Sequence, residues 1–325
     1  LITELYGMDV ANAGMYEGGS SLAEAAFMAC RVKNIYKVAC LSTITPMYKE
    51  VLRSYLAPQS IEIVFMDTND VDMKKDEYAC LIVQYPNFYG SIEDMRALSD
   101  TAHKSNSLFV VSADPLAAVM YKAPGDYGAD IVVGEGQGLG IPISFGGPYI
   151  GLFACKSEYL RQMPGRIVGK TVDKRGDSAF VLTLQTREQH IRREKATSNI
   201  CTSQALLAIM AGFYAVYHGP EGLKQIAKNV NNLTNLLAQN LKKNGFELLQ
   251  ESFFDTLTIS TRDKTKEIID RALSRECNLR IVDESTVGIS LDETSSLEDV
   301  QNLLLIFLNK EVKISQSENN SIPKG

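Results

Sequence analysis

The run ACLIVQYPNFYGSIEDMRALSDTAHKSNSLFVVS, Ala79 to Ser112, decides the fold class. Ala79 to Gln84 and Leu108 to Ser112 are short apolar stretches without clean alternation, the pattern of strands buried on both faces. Between them, Ile92 to Ser105 spaces its apolar residues at helical intervals. Strand, loop, helix, strand is the unit from which a helix-covered parallel sheet is built.

Working outward, the alternation continues. Upstream the spacing predicts a helix over Ser20 to Val32, a strand over Lys37 to Leu41, a helix over Pro46 to Tyr55 and a strand over Ile61 to Phe65. Downstream it predicts a helix over Pro115 to Met120 and strands over Ile131 to Val133 and Pro148 to Ala154. A long apolar helix pattern, Ser203 to Tyr217, stops at His218-Gly219-Pro220, where Gly and Pro punctuate the chain and a domain boundary belongs. Beyond it come a helix (Glu221 to Asn244), strands (Phe246 to Leu249 and Thr256 to Ser260), a helix (Lys264 to Arg275), strands (Leu279 to Val282 and Thr286 to Ser290) and a helix (Ser296 to Asn309). The expectation is an α/β large domain over 1–218 with a mostly parallel sheet, a smaller α+β domain over 219–311, and a polar linker or tail over 312–325.

Composition narrows the function. With 33 basic and 39 acidic residues the net charge is −6, which argues against a nucleic-acid partner, because phosphate binding needs clustered Lys and Arg. Six cysteines without a CxxC pair argue against zinc and read as buried thiols in a reducing compartment. No apolar run approaches the roughly 20 residues of a membrane-spanning helix. The opening LITELYG reads as the end of an amphipathic helix, so we expect the natural protein to extend upstream of Leu1, with any targeting segment there.

Three places could carry chemistry. Met15 to Leu22 (MYEGGSSL) sets Gly18, Gly19, Ser20 and Ser21 at a helix start, where free N–H groups and the helix dipole would hold a phosphate; equally, Ser20 or Ser21 could simply cap the helix. Asn87, in the Tyr85 to Gly90 loop, lies at a carboxyl-terminal strand end, where ligands bind in open α/β sheets, although such loops are also plain turns. Asp114 follows a strand and precedes Pro115; it is either a helix N-cap or a carboxylate for a cofactor's protonated ring nitrogen.

In this order (Gly-Ser helix cap, Pro-Asn loop, strand-terminal Asp, strand, Gly-rich loop) the chain resembles the large domain of fold-type-I pyridoxal-phosphate enzymes. GMDVANAGMYEGGSSLAEAA (Gly7 to Ala26), VQYPNFYG (Val83 to Gly90), FGGPYIGLFA (Phe145 to Ala154), MPGRIVG (Met163 to Gly169) and above all LQTREQHIRREKATSNICTSQALLA (Leu184 to Ala208) are similar to the P-protein family of the glycine cleavage system. FFDTLTI, NLRIVDE and TVGISLDET are most like its single-chain form, GEGQGLGIPISFGGPY more like its separate subunit. The resemblance implies two homologous halves, of which only the C-terminal one carries the Schiff-base lysine and pyridoxal phosphate. This chain resembles the N-terminal half. Setting Pro142 against the catalytic half's proline places Gln137 where the lysine would stand, and a carboxamide forms no imine.

The implied reaction, decarboxylation of glycine with transfer of the aminomethyl group to the lipoyl arm of the H-protein, would then need the partner half, and the isolated chain should be inactive. Fold logic puts this half's contacts to the partner's cofactor and substrate in Asn12, Ala13, Met15 and Tyr16 of the opening loop and in Thr197, Ser198 and Asn199 of the TSN turn. Gly18, Gly19, Ser20, Asn87, Asp114 and Gln137 would be relics of a cofactor site. Arg187, His190, Arg192, Arg193 and Lys195 are either anion or H-protein contacts or an ion-pair network with Glu188 and Glu194; His190 is a candidate base or a buried hydrogen-bonding residue, and His103 lies on a polar helix. Two other readings stay open: a self-sufficient aminotransferase or decarboxylase of the same fold, and a half that only pairs. The compartment expected is the cytoplasm for a bacterial source, which is favoured, and the mitochondrial matrix for a eukaryotic one.

Overall fold

A computed structural model describes residues 1–201, 203–311 and 314. The chain divides into two compact units: Leu1–Tyr85 with Asp94–Pro220, and Pro86–Glu93 with the chain from Glu221 on.

The first unit comprises α1 (Ile2–Tyr6), β1 (Val10–Ala11), α2 (Gly18–Lys33), β2 (Lys37–Leu41), α3 (Pro46–Leu56), β3 (Glu62–Met66), β4 (Cys80–Tyr85), α4 (Met95–Lys104), β5 (Leu108–Ala113), α5 (Pro115–Met120), β6 (Ile131–Glu135), β7 (Gly151–Cys155), β8 (Ile167–Val172), β9 (Ser178–Thr183), α6 (Gln189–Arg192) and the first part of α7 (Ala205–Lys243). Seven strands form one sheet in the order β1-β7-β6-β5-β4-β2-β3. From β3 to β6 every pairing is parallel, while β7 lies antiparallel to β6 and β1 antiparallel to β7. The run that opened the sequence reading forms β4, α4 and β5, with β4 and β5 in register from Cys80 opposite Leu108 to Tyr85 opposite Ala113. All six residues of β5 are buried, as its unbroken apolar pattern requires.

Helix α2 lies against the sheet. Leu22, Ala25, Ala26 and Ala29 are fully buried and share one core with Val110, Ile131, Val133 and Phe153. The alanines let helix and sheet backbones approach closely. Because the strands β4, β5 and β6 run the same way, the segments that follow them, Asp114 and 136–142 among them, leave the sheet at one edge.

The hairpin β8–β9 has no counterpart in the sequence pattern. Its strands are mostly exposed, so neither face imposes a two-residue period of burial for a pattern search to find. The expected helix break is present: within α7, Gly219 takes φ 63° and ψ 179°, and Pro220 follows at the start of the next helical turn, where its missing N–H is harmless.

The second unit adds β10 (Glu247–Leu248), β11 (Thr256–Ser260), α8 (Thr265–Ser274), β12 (Arg280–Asp283), β13 (Thr286–Ser290) and α9 (Leu297–Leu308) to the remainder of α7. Its antiparallel sheet, β10-β11-β13-β12, packs Leu257, Ile259, Val287 and Ile289 against Leu237, Ile268, Leu304 and Phe307 of the helices. The loop Pro86–Glu93, assigned from sequence to the large domain, groups with this unit. The carbonyl of Tyr89 accepts from Thr258 Oγ1 at 2.6 Å, and the Arg280 guanidinium covers the Phe88 ring at 4.2 Å and donates to the Phe88 carbonyl at 2.8 Å. The tail expected over 312–325 lies outside the described residues, apart from Ile314.

Asp130 ties the first unit together. It is 3% exposed and accepts from the Phe109 N–H at 2.8 Å and from Lys156 Nζ at 2.6 Å, and it hydrogen-bonds His103 Nε2 at 2.8 Å, a role for His103 that its place on a polar helix does not show. Burial alone would raise this carboxyl, but the three partners outweigh it and hold it below its ordinary 3.8. Asp130→Ala strands the Phe109 amide and Lys156, and we expect urea unfolding to show a loss of about 3 kcal/mol, as for other broken buried pairs. In the parent the contribution should be full above the ordinary value and vanish as pH falls through the depressed one.

Candidate functional site

The first amides of a helix have no partner within it and favour negative charge. In α2 these amides are buried, with Gly18, Gly19, Ser20 and Ser21 all inaccessible, so each needs an acceptor inside the protein. Glu17 supplies the cap: its carboxylate accepts from the N–H of Gly19 and, at 2.7 Å, of Ser20. The expected serine cap is thereby corrected, since the Ser20 and Ser21 hydroxyls instead donate to the Glu17 carbonyl. Glu135, the last residue of β6, accepts the Gly18 N–H with Oε2 at 2.9 Å and the Gln137 N–H with Oε1 at 3.1 Å. A Cβ placed on Gly18 would lie 2.2 Å from the Tyr48 hydroxyl and 3.1 Å from Glu135 Cβ, which explains the glycine and shows that this end of the helix is filled.

Two carboxyl groups meet at one buried helix end. Burial, and next to it the Glu17 charge, raises Glu135 to about 7 against the amides that hold it down. Tyr48 is pushed up by burial and then by Glu135 and Glu17, so its hydroxyl stays protonated.

Asp114 caps α5, accepting the Ala117 N–H at 2.7 Å, which bears out the cap alternative without excluding the other. Gln137 donates its side-chain amide to the Ile141 carbonyl at 2.6 Å. Gln137 offers no amine for an imine, and the first amides of α2 are taken by Glu17 and Glu135. Asn87 belongs to the second unit, where it accepts the N–H of Tyr89 and Ser91 at 2.9 and 3.0 Å.

The opening loop and the TSN turn meet. Asn12 and Met15 donate backbone N–H to the carbonyls of Phe153 and Gly151 on β7, and Ala13 to that of Arg166. Asn12 Nδ2 reaches the Pro164 carbonyl at 3.1 Å. Met15 is 0% exposed, so its side chain serves the core and is not presented to a ligand. The Tyr16 hydroxyl accepts the Cys201 N–H at 3.2 Å. Ser198 bonds Glu24 of α2 and accepts the Ile200 N–H at 3.0 Å; Thr197 N–H donates to the Arg187 carbonyl at 2.9 Å; Asn199, exposed, accepts from Gln189 Nε2 at 2.8 Å.

Arg187 anchors this segment. Its guanidinium donates to the carbonyls of Met163, Gly165 (3.0 Å) and Leu184 (3.1 Å), and it is 9% exposed. Neither sequence reading of Arg187 holds: it is a buried clamp on backbone, not a surface ion pair or an anion contact. Arg192, Arg193 and Lys195 are exposed, and His190, also exposed, sits 3.7 Å from Glu188. The residues that sequence reading missed are Glu17, Glu135, Tyr48 and Glu24. The signal for Glu17 was an acid immediately before Gly-Gly at a helix start, whereas the other three acquire their roles only through long-range packing.

Among the described residues no group of His, Cys, Asp or Glu is placed to hold a metal, and no helix is long and apolar enough to cross a membrane. Cys30, Cys40, Cys80 and Cys155 are buried free thiols.

Comparison with known proteins places the chain. The family model of the glycine cleavage system P-protein matches residues 1–307. A glycine dehydrogenase (decarboxylating) of Nostoc sp. PCC 7120 is 48% identical over 94% of this chain and 31% of its own length, and that of Pelagibacter ubique is 44% identical over 100% and 34%. The chain thus spans about a third of the curated relatives it matches. A crystal structure of glycine decarboxylase (P-protein) in inhibitor-bound form superposes with TM-score 0.88 and 36% identity, covering 95% of this chain and 73% of that one. A C-DES mutant with glycine linked to its PLP cofactor, 11% identical with TM-score 0.65, shares the fold alone. The fold is that of the fold-type-I pyridoxal-phosphate enzymes.

Glu135 gives this site a pH signature. Its value is raised above the ordinary 4.5, so its stabilising effect is full below 4.5 and is lost as pH rises through about 7. We expect Glu135→Gln to remove that decline and to be the more stable protein at pH 8 by up to about 3 kcal/mol, measured by denaturant titration at pH 5, 6.5 and 8. Equal stability of both proteins at all three would refute the assignment.

Proposed function

The chain belongs to the glycine cleavage system P-protein family, and from that premise we propose that it is the half of a glycine decarboxylase without the Schiff-base lysine, completing the site of a lysine-bearing half. The observation that carries this reading is Gln137: it occupies the loop after β6 with its carboxamide bonded to the Ile141 carbonyl. A second observation supports the pairing. Leu206, Ile209, Phe213, Val216 and Tyr217 recur at helical spacing on α7 and are 69, 54, 71, 80 and 85% exposed. A contiguous apolar stripe of that kind is the mark of a surface that a partner covers.

In this reading, pyridoxal phosphate, held by the partner half, supplies the electron sink for glycine decarboxylation, and the aminomethyl group passes to the lipoyl arm of the H-protein. This chain supplies shape and polar contacts. Asn12 is pinned to β7, Ala13 to the Arg166 carbonyl and Tyr16 to Cys201, so the TSN turn stands on a rigid mount from which the Thr197 hydroxyl and the Asn199 amide donate to a carboxylate or phosphate oxygen, while the Ser198 hydroxyl, bonded to Glu24, holds the turn from within. Met15 supports that mount from beneath. The compartment we propose is the cytoplasm for a bacterial source and the mitochondrial matrix for a eukaryotic one.

Borohydride reduction of the intact holoprotein should leave every lysine of this chain unlabelled; an adduct on any of them, found by peptide mapping, defeats the reading. Asn199→Ala in the intact protein is expected to lower kcat/KM for glycine by roughly 10- to 100-fold, about 1.4–2.7 kcal/mol of transition-state stabilisation, with cofactor content unchanged. Unaltered turnover would leave this half with a pairing role only.

A further inference from the structure

Free amides at the Gly-Gly-Ser-Ser start of α2 would hold a phosphate, and in this chain they are met from within the protein. We propose that Glu17 and Glu135 are an internal substitute for the cofactor's phosphate, closing the relic site and turning its cradle into a brace that positions Tyr16. The inference rests on the fold assignment above and goes beyond the missing lysine, because it makes the site closed whatever stands at position 137.

Three observations carry it. The N–H groups of Gly18, Gly19 and Ser20, three successive amides at a helix start, all point at carboxylate oxygens, and the two carboxylates come from segments 118 residues apart in sequence, on different elements. Glu17 takes the Gly19 and Ser20 amides and leaves the Gly18 amide to a second acid brought from β6, which sets two acidic groups at one helix start, where a phosphate dianion would otherwise be favoured. The space is also filled, since a single Cβ on Gly18 or Gly19 would meet Tyr48 or Glu17 at 2.2 and 2.9 Å. Finally, the lock is continuous with the contact region. Glu17 directly follows Tyr16, whose hydroxyl accepts the Cys201 N–H, and Glu135 holds the Gln137 amide, so the cap fixes the opening loop on one side and the Gly-rich loop on the other.

The test uses the intact protein saturated with pyridoxal phosphate. Gln137→Lys alone should gain no cofactor, with borohydride and peptide mapping finding no adduct at position 137; Gln137→Lys combined with Glu17→Ser, which frees the Gly19 amide while a serine still caps, should gain up to one further equivalent at that residue. An adduct on the single variant overturns the proposal, and so does a folded double variant with none. Since a double variant that fails to fold decides nothing, Glu17→Ser alone is melted in inorganic phosphate and in chloride at equal ionic strength: a phosphate-dependent rise of a few degrees in the variant and none in the parent supports the lock, and equal behaviour of the two refutes it. Labelling of a lysine of this chain in the unaltered protein would instead strike the functional reading, so the two failures are distinct.

Discussion

A buried helix start must have acceptors, and the arrangement at the beginning of α2 meets that demand with charge. Water cannot reach the amides of Gly18, Gly19 and Ser20, and leaving even one unpaired would cost roughly 1–3 kcal/mol. Glu17 is local and sets where the helix begins. Glu135 comes from the far end of β6 and ties helix to sheet. With α2 fixed, its alanine face meets Val110, Ile131 and Val133 at the depth that close-packed methyl groups allow. The cost is visible in the raised Glu135, which burial lifts first and the Glu17 charge after it.

The same economy of backbone partners recurs at Arg187. A guanidinium has five donors and no acceptor, and here it is aimed at three carbonyls from two turns, 163–165 and 184. This clamps the beginning of the segment that ends in the TSN turn onto the loop that receives Asn12. Glu24, on the inner face of α2, reaches Ser198 from beneath, and burial raises its carboxyl despite Ser198 and Arg31. The loop is thus held by groups that face inward, which leaves Asn199 on the surface.

Much of the fold was legible because burial writes itself into local pattern. The strands from Lys37 to Ser112 and the helices between them announce themselves through apolar runs and Gly, Pro and Asp punctuation, and β11, β13 and α9 follow the same rule in the second unit. The hairpin β8–β9 was invisible because exposure on both faces erases the period. Asn87 was misplaced for a related reason: a loop's allegiance depends on what it packs against, here Gln250 and Thr258, more than 150 residues away.

The candidate site divides along the same line. Gln137 and the TSN turn are candidates a sequence can name, since each is defined by residue type at a place in a motif. Glu135 could not, although it stands inside the Gly-rich loop that was singled out, because its partner amide at Gly18 is 117 positions away and no local spacing records the pairing. A carboxylate read alone in a Gly-rich loop suggests a surface acid. The same carboxyl read against a helix N-terminus is the partner of the Gly18 amide, so a residue that looks like a surface acid in its own loop is part of the buried joint between helix and sheet.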